Sequence, residues 1–117
     1  MKPTRYYSNK QEKQVARFLG GKKVANSGAT RFNKGDVSLP EFLIECKTTT
    51  STERASFSIK EEWLIKNKEE AFAMGKPYSA LAFQFRLKGE NYYVIDEKLF
   101  RKLVQAIRDE ENGYRPM

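Results

Sequence analysis

The sequence predicts a single α/β (α+β) domain in which helices flank a mixed β-sheet, in the order α-β-β-β-α-β-β-α. Three observations support this prediction. The chain has 117 residues, which is enough for one domain with its own hydrophobic core. Within residues 41–49 the character of the side chains alternates with the period of a strand. Near the C-terminus, an apolar stripe has the period of a helix. Strand-like and helix-like segments also alternate along the chain, which favours a sheet covered by helices.

The first half of the chain is predicted to form one helix and three strands. Ser8 is placed to cap a helix that runs to about Leu19, where two glycines stop it. A short strand is expected within residues 22–26, and Asp36 is expected on a second one. The clearest strand lies within residues 41–49. Its predicted faces are Phe42, Ile44 and Cys46 on one side and Leu43, Glu45 and Lys47 on the other.

The second half is predicted to form a helix, a hairpin and a final helix. Ser58 begins a capping-box pattern that opens a helix, and Gly75 closes that helix. Residues 79–87 and 91–95 are rich in aromatic residues and are separated by a turn-like Lys-Gly-Glu, which is typical of a β-hairpin. Asp96 is placed to cap the last helix. Residues 111–117 read as a polar tail.

Two apolar sets are expected to lie in the core. Aromatic residues of strands are usually buried, although they would also suit a sheet on which bases stack. The stripe on the last helix is expected to pack on the protein's own sheet, with a dimer face as the alternative. The two sets are Phe83, Phe85, Tyr92 and Tyr93, and Leu99, Phe100, Leu103, Val104 and Ile107.

The composition restricts the classes of function that are possible. Twenty-two Lys and Arg against 15 Asp and Glu give a net charge of +7, which favours a polyanionic partner, and nucleic acid first. The absence of histidine excludes imidazole bases and nucleophile–histidine pairs. A single cysteine, Cys46, excludes an internal disulfide and agrees with a reducing compartment. Without an apolar segment for a membrane span or a signal peptide, we expect no membrane partner and a cytoplasmic location, in a prokaryotic cell or a phage-infected host.

Charged residues on the predicted strands indicate a metal site. Glu45 and Lys47 share a face with the apolar Leu43, so that face is at least partly covered. The carboxylates of Asp36 and Glu45 would repel each other unless a divalent cation lay between them, and oxygen ligands suit Mg²⁺ or Mn²⁺. Lys47 could then act on the attacking water or on the phosphate. A solvated, charged strand is the alternative.

These residues resemble a known motif. Asp36, preceded by Gly35 where the family often has proline, and Glu45 with Lys47 nine and eleven positions later resemble the PD-(D/E)xK nuclease motif. Glu12, on the apolar side of the first helix, is similar to the helix glutamate of archaeal-type Holliday junction resolvases, a branch of this superfamily. Ser27 resembles their loop serine. A boundary glutamate and an ordinary turn serine are the structural alternatives.

The resemblance implies a restriction-endonuclease-like fold and a homodimer that resolves four-way DNA junctions with Mg²⁺, or with Mn²⁺ as a substitute. It implies that Glu12, Asp36 and Glu45 bind the metal, that Lys47 acts on the water or the phosphate, and that Ser27 lies near the scissile phosphate. Another nuclease of the superfamily, acting on duplex, flap or nicked DNA or RNA, is an alternative. A non-catalytic nucleic-acid-binding module is a further one.

Basic residues outside the motif are candidates for phosphate contacts, which supply most nonspecific affinity for nucleic acid. The N-terminal residues 1–7 combine basic and aromatic side chains, as a nucleic-acid-binding arm does. Ordinary surface charges are the alternative for each candidate. The candidates are Arg5, Arg31, Lys34, Lys60 and Lys66.

Overall fold

The computed structural model describes residues 4–24, 36–49 and 56–113, with the side chains of Thr4 and Arg5 left out. The elements within these residues follow one another in the predicted order, which confirms a mixed α/β fold. They are α1 (Thr4–Leu19), β1 (Lys22–Lys23), β2 (Asp36–Ser38), β3 (Phe42–Lys47), α2 (Glu61–Ala73), β4 (Tyr78–Gln84), β5 (Asn91–Val94) and α3 (Glu97–Glu111).

The five strands form one sheet in the order β1-β2-β3-β4-β5. The pairs β1–β2, β2–β3 and β4–β5 are antiparallel, and β3–β4 is parallel. A parallel pair needs a crossover connection, which α2 provides here. The central strand is therefore β3, while β5 lies at an edge of the described sheet.

The two predicted faces of β3 are confirmed. Ile44 and Cys46 belong to a buried cluster with Val15 of α1, so we call this side of the sheet the α1 face. The opposite side, which carries Leu43, Glu45 and Lys47, is covered by α2, and we call it the α2 face. Buried Asn67 of α2 fixes this packing, because its Nδ2 donates to the backbone oxygens of Leu43 at 3.4 Å and Ala80 at 3.0 Å.

Two helix starts differ from the prediction. The helix α1 already begins at Thr4, so Ser8 lies inside it, and the part of the expected arm from Thr4 onward belongs to this helix. The helix α2 begins at Glu61, and no side chain caps it, so Ser58 does not complete a capping box. Acidic residues in its first turn favour the helix instead through their interaction with the helix dipole.

Other local predictions are confirmed. Asp96 caps α3, with its Oδ1 accepting from the backbone N–H of Leu99 at 2.8 Å. Gly20 and Gly75 adopt φ values of +71° and +73° directly after α1 and α2, a conformation that glycine reaches without a steric penalty. The expected hairpin joins β4 to β5.

The expected burial of the two apolar sets is wrong. Leu99 is the buried residue of α3, while Phe100, Leu103 and Ile107 are 43–58% exposed. Tyr92 and Tyr93 are exposed as well, and Phe83 and Phe85 are only half-buried. The physical reason is the position of β5 at an edge, where the described elements supply no second layer over both of its faces. None of the described helices is long and apolar enough to cross a membrane.

Candidate active site

The carboxylates of Asp36 and Glu45 face each other on the α2 face. The register of β2 and β3 pairs these two residues directly, which places their Cβ atoms about 5 Å apart. Asp36 is 1% exposed, and its Oδ1 has no hydrogen-bond partner among the described residues. The Glu45 side chain is 13% exposed, and its Oε2 likewise accepts no hydrogen bond from them. Two carboxylates are thus held together in a site that does not solvate them.

The electrostatics of Asp36 reflect this arrangement. Burial, followed by the negative charges of Glu45, Glu70 and Glu12, raises the pKa of Asp36 from 3.8 to about 8, while Lys47 lowers it. A carboxyl group with this pKa keeps its proton at neutral pH unless additional positive charge is supplied. Asp36 is therefore protonated at neutral pH, and a cation bound there would have to displace that proton.

Lys47 lies beside the carboxylate pair, as predicted. Its Nζ is 3.4 Å from Glu45 Oε2, an ion-pair contact without hydrogen-bond geometry, and 4.2 Å from the centroid of the Trp63 ring. A cation over an indole face is attracted by the ring quadrupole, so Trp63 helps to position the ammonium group. Lys60 Nζ lies 5.8 Å from the same ring, which brings this predicted phosphate-binding residue to the site.

Glu70 is a site residue that the sequence prediction missed. Burial and the charge of Glu45 raise its pKa, while Lys66 lowers it. Its charge also raises the pKa of Asp36 more than the charge of Glu12 does. Glu70 is three positions after buried Asn67, so it lies on the helix face that is turned toward the sheet. That spacing shows which face of α2 carries Glu70, but it does not show which strand lies beneath that face.

Glu12 is buried, at 5% exposure, as its position on the apolar side of α1 indicated. It lies on the α1 face, however, where it pairs with Lys23 Nζ at 3.4 Å. Asp36 and Glu45 project from the other face, although the charge of Glu12 is near enough to raise the pKa of Asp36. No cluster of three or more His, Cys, Asp or Glu within the described residues is arranged to hold a metal ion.

Four predicted residues cannot be placed relative to this site. Ser27, Arg31 and Lys34 lie outside the described residues, and for Arg5 only the backbone, within α1, is described. Lys66 is exposed on α2, near enough to Glu70 to lower the pKa of that carboxyl.

The residues present fit a hard divalent cation. Mg²⁺ is commonly bound by one or two carboxylates together with water and substrate phosphate oxygens, so a third protein carboxylate is not required. Asp36 Oδ1 and Glu45 Oε2, which have no hydrogen-bond partner within the described part of the chain, are the oxygens that would bind it. Cys46 would not contribute, because it lies on the α1 face and burial raises the pKa of its thiol.

Comparisons with known proteins add no further constraint. We find no significant match to the chain among family models, curated proteins or solved structures.

Proposed function

We propose that this protein is a metal-dependent endonuclease with a restriction-endonuclease-like fold, which hydrolyses phosphodiester bonds in branched DNA. Four-way junctions are the expected substrate, and opposite strands the expected sites of cleavage. The observation that carries the proposal is the buried, directly paired Asp36 and Glu45 with Lys47 at 3.4 Å from Glu45. A net charge of +7 supports a nucleic-acid partner.

Each residue of the site has a distinct task in the proposed reaction. Asp36 and Glu45 would hold Mg²⁺ or Mn²⁺, and that ion, when bound, would polarise a phosphoryl oxygen and make the attacking water more acidic. Lys47, oriented by Trp63, stabilises the negative charge that develops on the phosphate. The water oxygen attacks phosphorus as the bond to the 3′ oxygen breaks. The water loses a proton to solvent and the departing 3′ oxygen takes one up from solvent, which leaves 5′-phosphate and 3′-hydroxyl ends. Lys60 is placed to contact a backbone phosphate nearby.

A non-catalytic binding module accounts for the basic charge equally well, but it gives no reason for two opposed carboxylates in a site that does not solvate them. Two buried carboxyl groups without solvating partners are costly to the fold even when one is protonated, and a strongly perturbed pKa is typical of functional sites. The buried pair therefore favours the nuclease over the binding module.

Cleavage of a labelled four-way junction, beside a linear duplex of the same sequence and in Mg²⁺, tests this function. We expect paired, symmetric cuts near the branch and an intact duplex. Equal cutting of both substrates would support a duplex nuclease in place of the resolvase. Failure to cut either substrate, in Mn²⁺ as well, would contradict the nuclease proposal and favour the binding module.

The exposed stripe of α3 is the surface on which we expect a second copy of the chain. Phe100 and Ile107 are 58% and 55% exposed, and an apolar patch on a helix is typical of an interface. Phe100→Lys should weaken self-association by about tenfold or more, since it places a charge in that interface. Sedimentation velocity measures the effect. Gln105→Lys, the same charge change at an exposed position of α3, is the control, and a monomeric wild type would contradict the dimer.

A further inference from the structure

Four aromatic rings form a continuous cluster on the α2 face of the sheet. Phe83 lies at the centre, with ring centroids 5.0 Å from Phe57, 5.2 Å from Phe85 and 5.9 Å from Tyr92. Phe85 and Tyr92 are themselves 5.4 Å apart. We call this group the aromatic cluster. None of its members is fully buried, and Tyr92 is 47% exposed.

The cluster adjoins the candidate active site. Lys47 of β3 is in register with Phe83 of β4, and Phe83 is in register with Tyr92 of β5. Residues in register on adjacent strands project from the same face, so the cluster continues the row that begins at Lys47. The row that contains Glu45 is two residues away, which is about 7 Å along a strand. Phe83, on the strand next to Glu45, is therefore the nearest ring to the carboxylates whose position the strand registers fix, and Tyr92 lies one strand, about 5 Å, further away.

The exposure of this cluster is not explained by the fold. Aromatic rings on a sheet normally lie beneath a second layer, and the described residues place none over Tyr92. Positive charge is found at the same end of the sheet, where Lys47 and Lys60 approach the Trp63 ring. Exposed rings beside cationic side chains are the two components of surfaces that bind single-stranded nucleic acid.

We propose that the aromatic cluster stacks the unpaired bases of a DNA strand whose phosphate enters the candidate active site. This inference rests on the proposed nuclease function and adds one requirement to its branched substrate, which is unpaired nucleotides beside the scissile bond, at the branch point. Stacking is available to every base, so binding should tolerate sequence changes. Bases within a duplex are already stacked on one another, which selects for unpaired nucleotides.

Binding of two labelled strands of equal charge tests this inference. One is an oligothymidylate of about 15 nucleotides, a length comparable to known single-strand sites, and the other is a backbone of the same length without bases. Fluorescence anisotropy is measured in EDTA, so that no cleavage occurs. We expect the wild-type protein to bind the oligothymidylate about tenfold more tightly than the abasic strand. Equal affinities of the wild-type protein for the two strands would overturn the proposal, and this comparison needs no variant.

Variants of β5 locate the contact. Tyr92→Ala should lose about tenfold in affinity for the oligothymidylate and leave the affinity for the abasic strand unchanged, and Tyr92→Phe should retain affinity because it keeps a ring. Tyr93→Ala is the matched control, because Tyr93 is a similarly exposed neighbour on the opposite face. Wild-type binding by a folded Tyr92→Ala protein, checked by circular dichroism, would overturn the proposal.

The metal-free assay separates this inference from the nuclease proposal. If the protein binds bases through Tyr92 but cuts no DNA, the stacking proposal is supported and the nuclease proposal is contradicted. If it cuts junctions but binds the oligothymidylate and the abasic strand equally, the nuclease proposal is supported and the stacking proposal is contradicted.

Discussion

Asp36→Asn is expected to abolish cleavage of a four-way junction while leaving junction binding intact. The substitution keeps the size of the side chain but removes one of the two carboxylates that would hold the cation, and a neutral amide is a much weaker ligand for Mg²⁺. Loss of a group that stabilises transition-state charge costs on the order of 10²- to 10³-fold in rate. Binding should persist, because basic groups elsewhere supply the phosphate contacts.

Single-turnover cleavage and anisotropy of the labelled junction, the latter in EDTA, measure the two effects. Asp109→Asn, the same chemical change on α3 and outside the site, is the control and should cut at the wild-type rate. Cleavage by Asp36→Asn at the wild-type rate would exclude the assignment of the site. Loss of binding together with cleavage would instead point to a structural role for Asp36.

The pairing of Asp36, Glu45 and Lys47 could be predicted because it depends on short-range geometry. A strand alternates its side chains with a period of two, so Glu45 and Lys47 had to share a face. A short preceding strand with an acidic residue then needed only an antiparallel register to bring Asp36 opposite Glu45. The ends of α1 and α2 and the start of α3 were predictable for the same reason. They are marked by Gly20, Gly75 and Asp96, whose interactions are local.

Trp63 and Glu70 could not be predicted as site residues, because their role depends on how α2 crosses the sheet. Helical spacing shows which residues share a face with Asn67, but not which strand that face covers. The same limit applies to Glu12. Its position in the sequence predicted burial, and it is buried, but the side of the sheet on which α1 packs separates it from Asp36.

The exposed aromatic residues show a different limit. Aromatic residues are common in strands because rings pack well on a half-covered, pleated surface, and that preference contains no information about the layer above them. Tyr92 and Tyr93 lie on the last strand of the described sheet, on opposite faces, and both remain exposed. Composition therefore predicted the strand correctly, and only the strand order showed that its rings stay exposed.

The stability of the metal-free protein should fall as pH rises from about 4 to 8. The pKa of Asp36 is raised from 3.8 to about 8, so within this window the folded state keeps a proton that the unfolded state has lost. The stabilisation is fully present below the unfolded pKa and is lost as pH rises through the folded pKa, with a slope of at most about 1.4 kcal/mol per pH unit. The raised pKa of Glu70 also makes the free energy of unfolding fall as pH rises. The lowered pKa of Asp96 has the opposite sign, and it changes the free energy of unfolding only below about pH 4.

Urea unfolding in EDTA across this range measures the slope, and the chain is well suited to the experiment because it has no histidine to titrate within the window. Asp36→Asn should weaken the dependence of the free energy of unfolding on pH, because an amide binds no proton. Asp109→Asn should leave that dependence unchanged. At pH 8, Mg²⁺ at ten times its dissociation constant should stabilise the wild type by about 1.4 kcal/mol and leave Asp36→Asn nearly unchanged. If the free energy of unfolding depends on pH in the same way for the wild type and Asp36→Asn, the Asp36 carboxyl ionises normally. The electrostatic reason for a cation between Asp36 and Glu45 would then be lost.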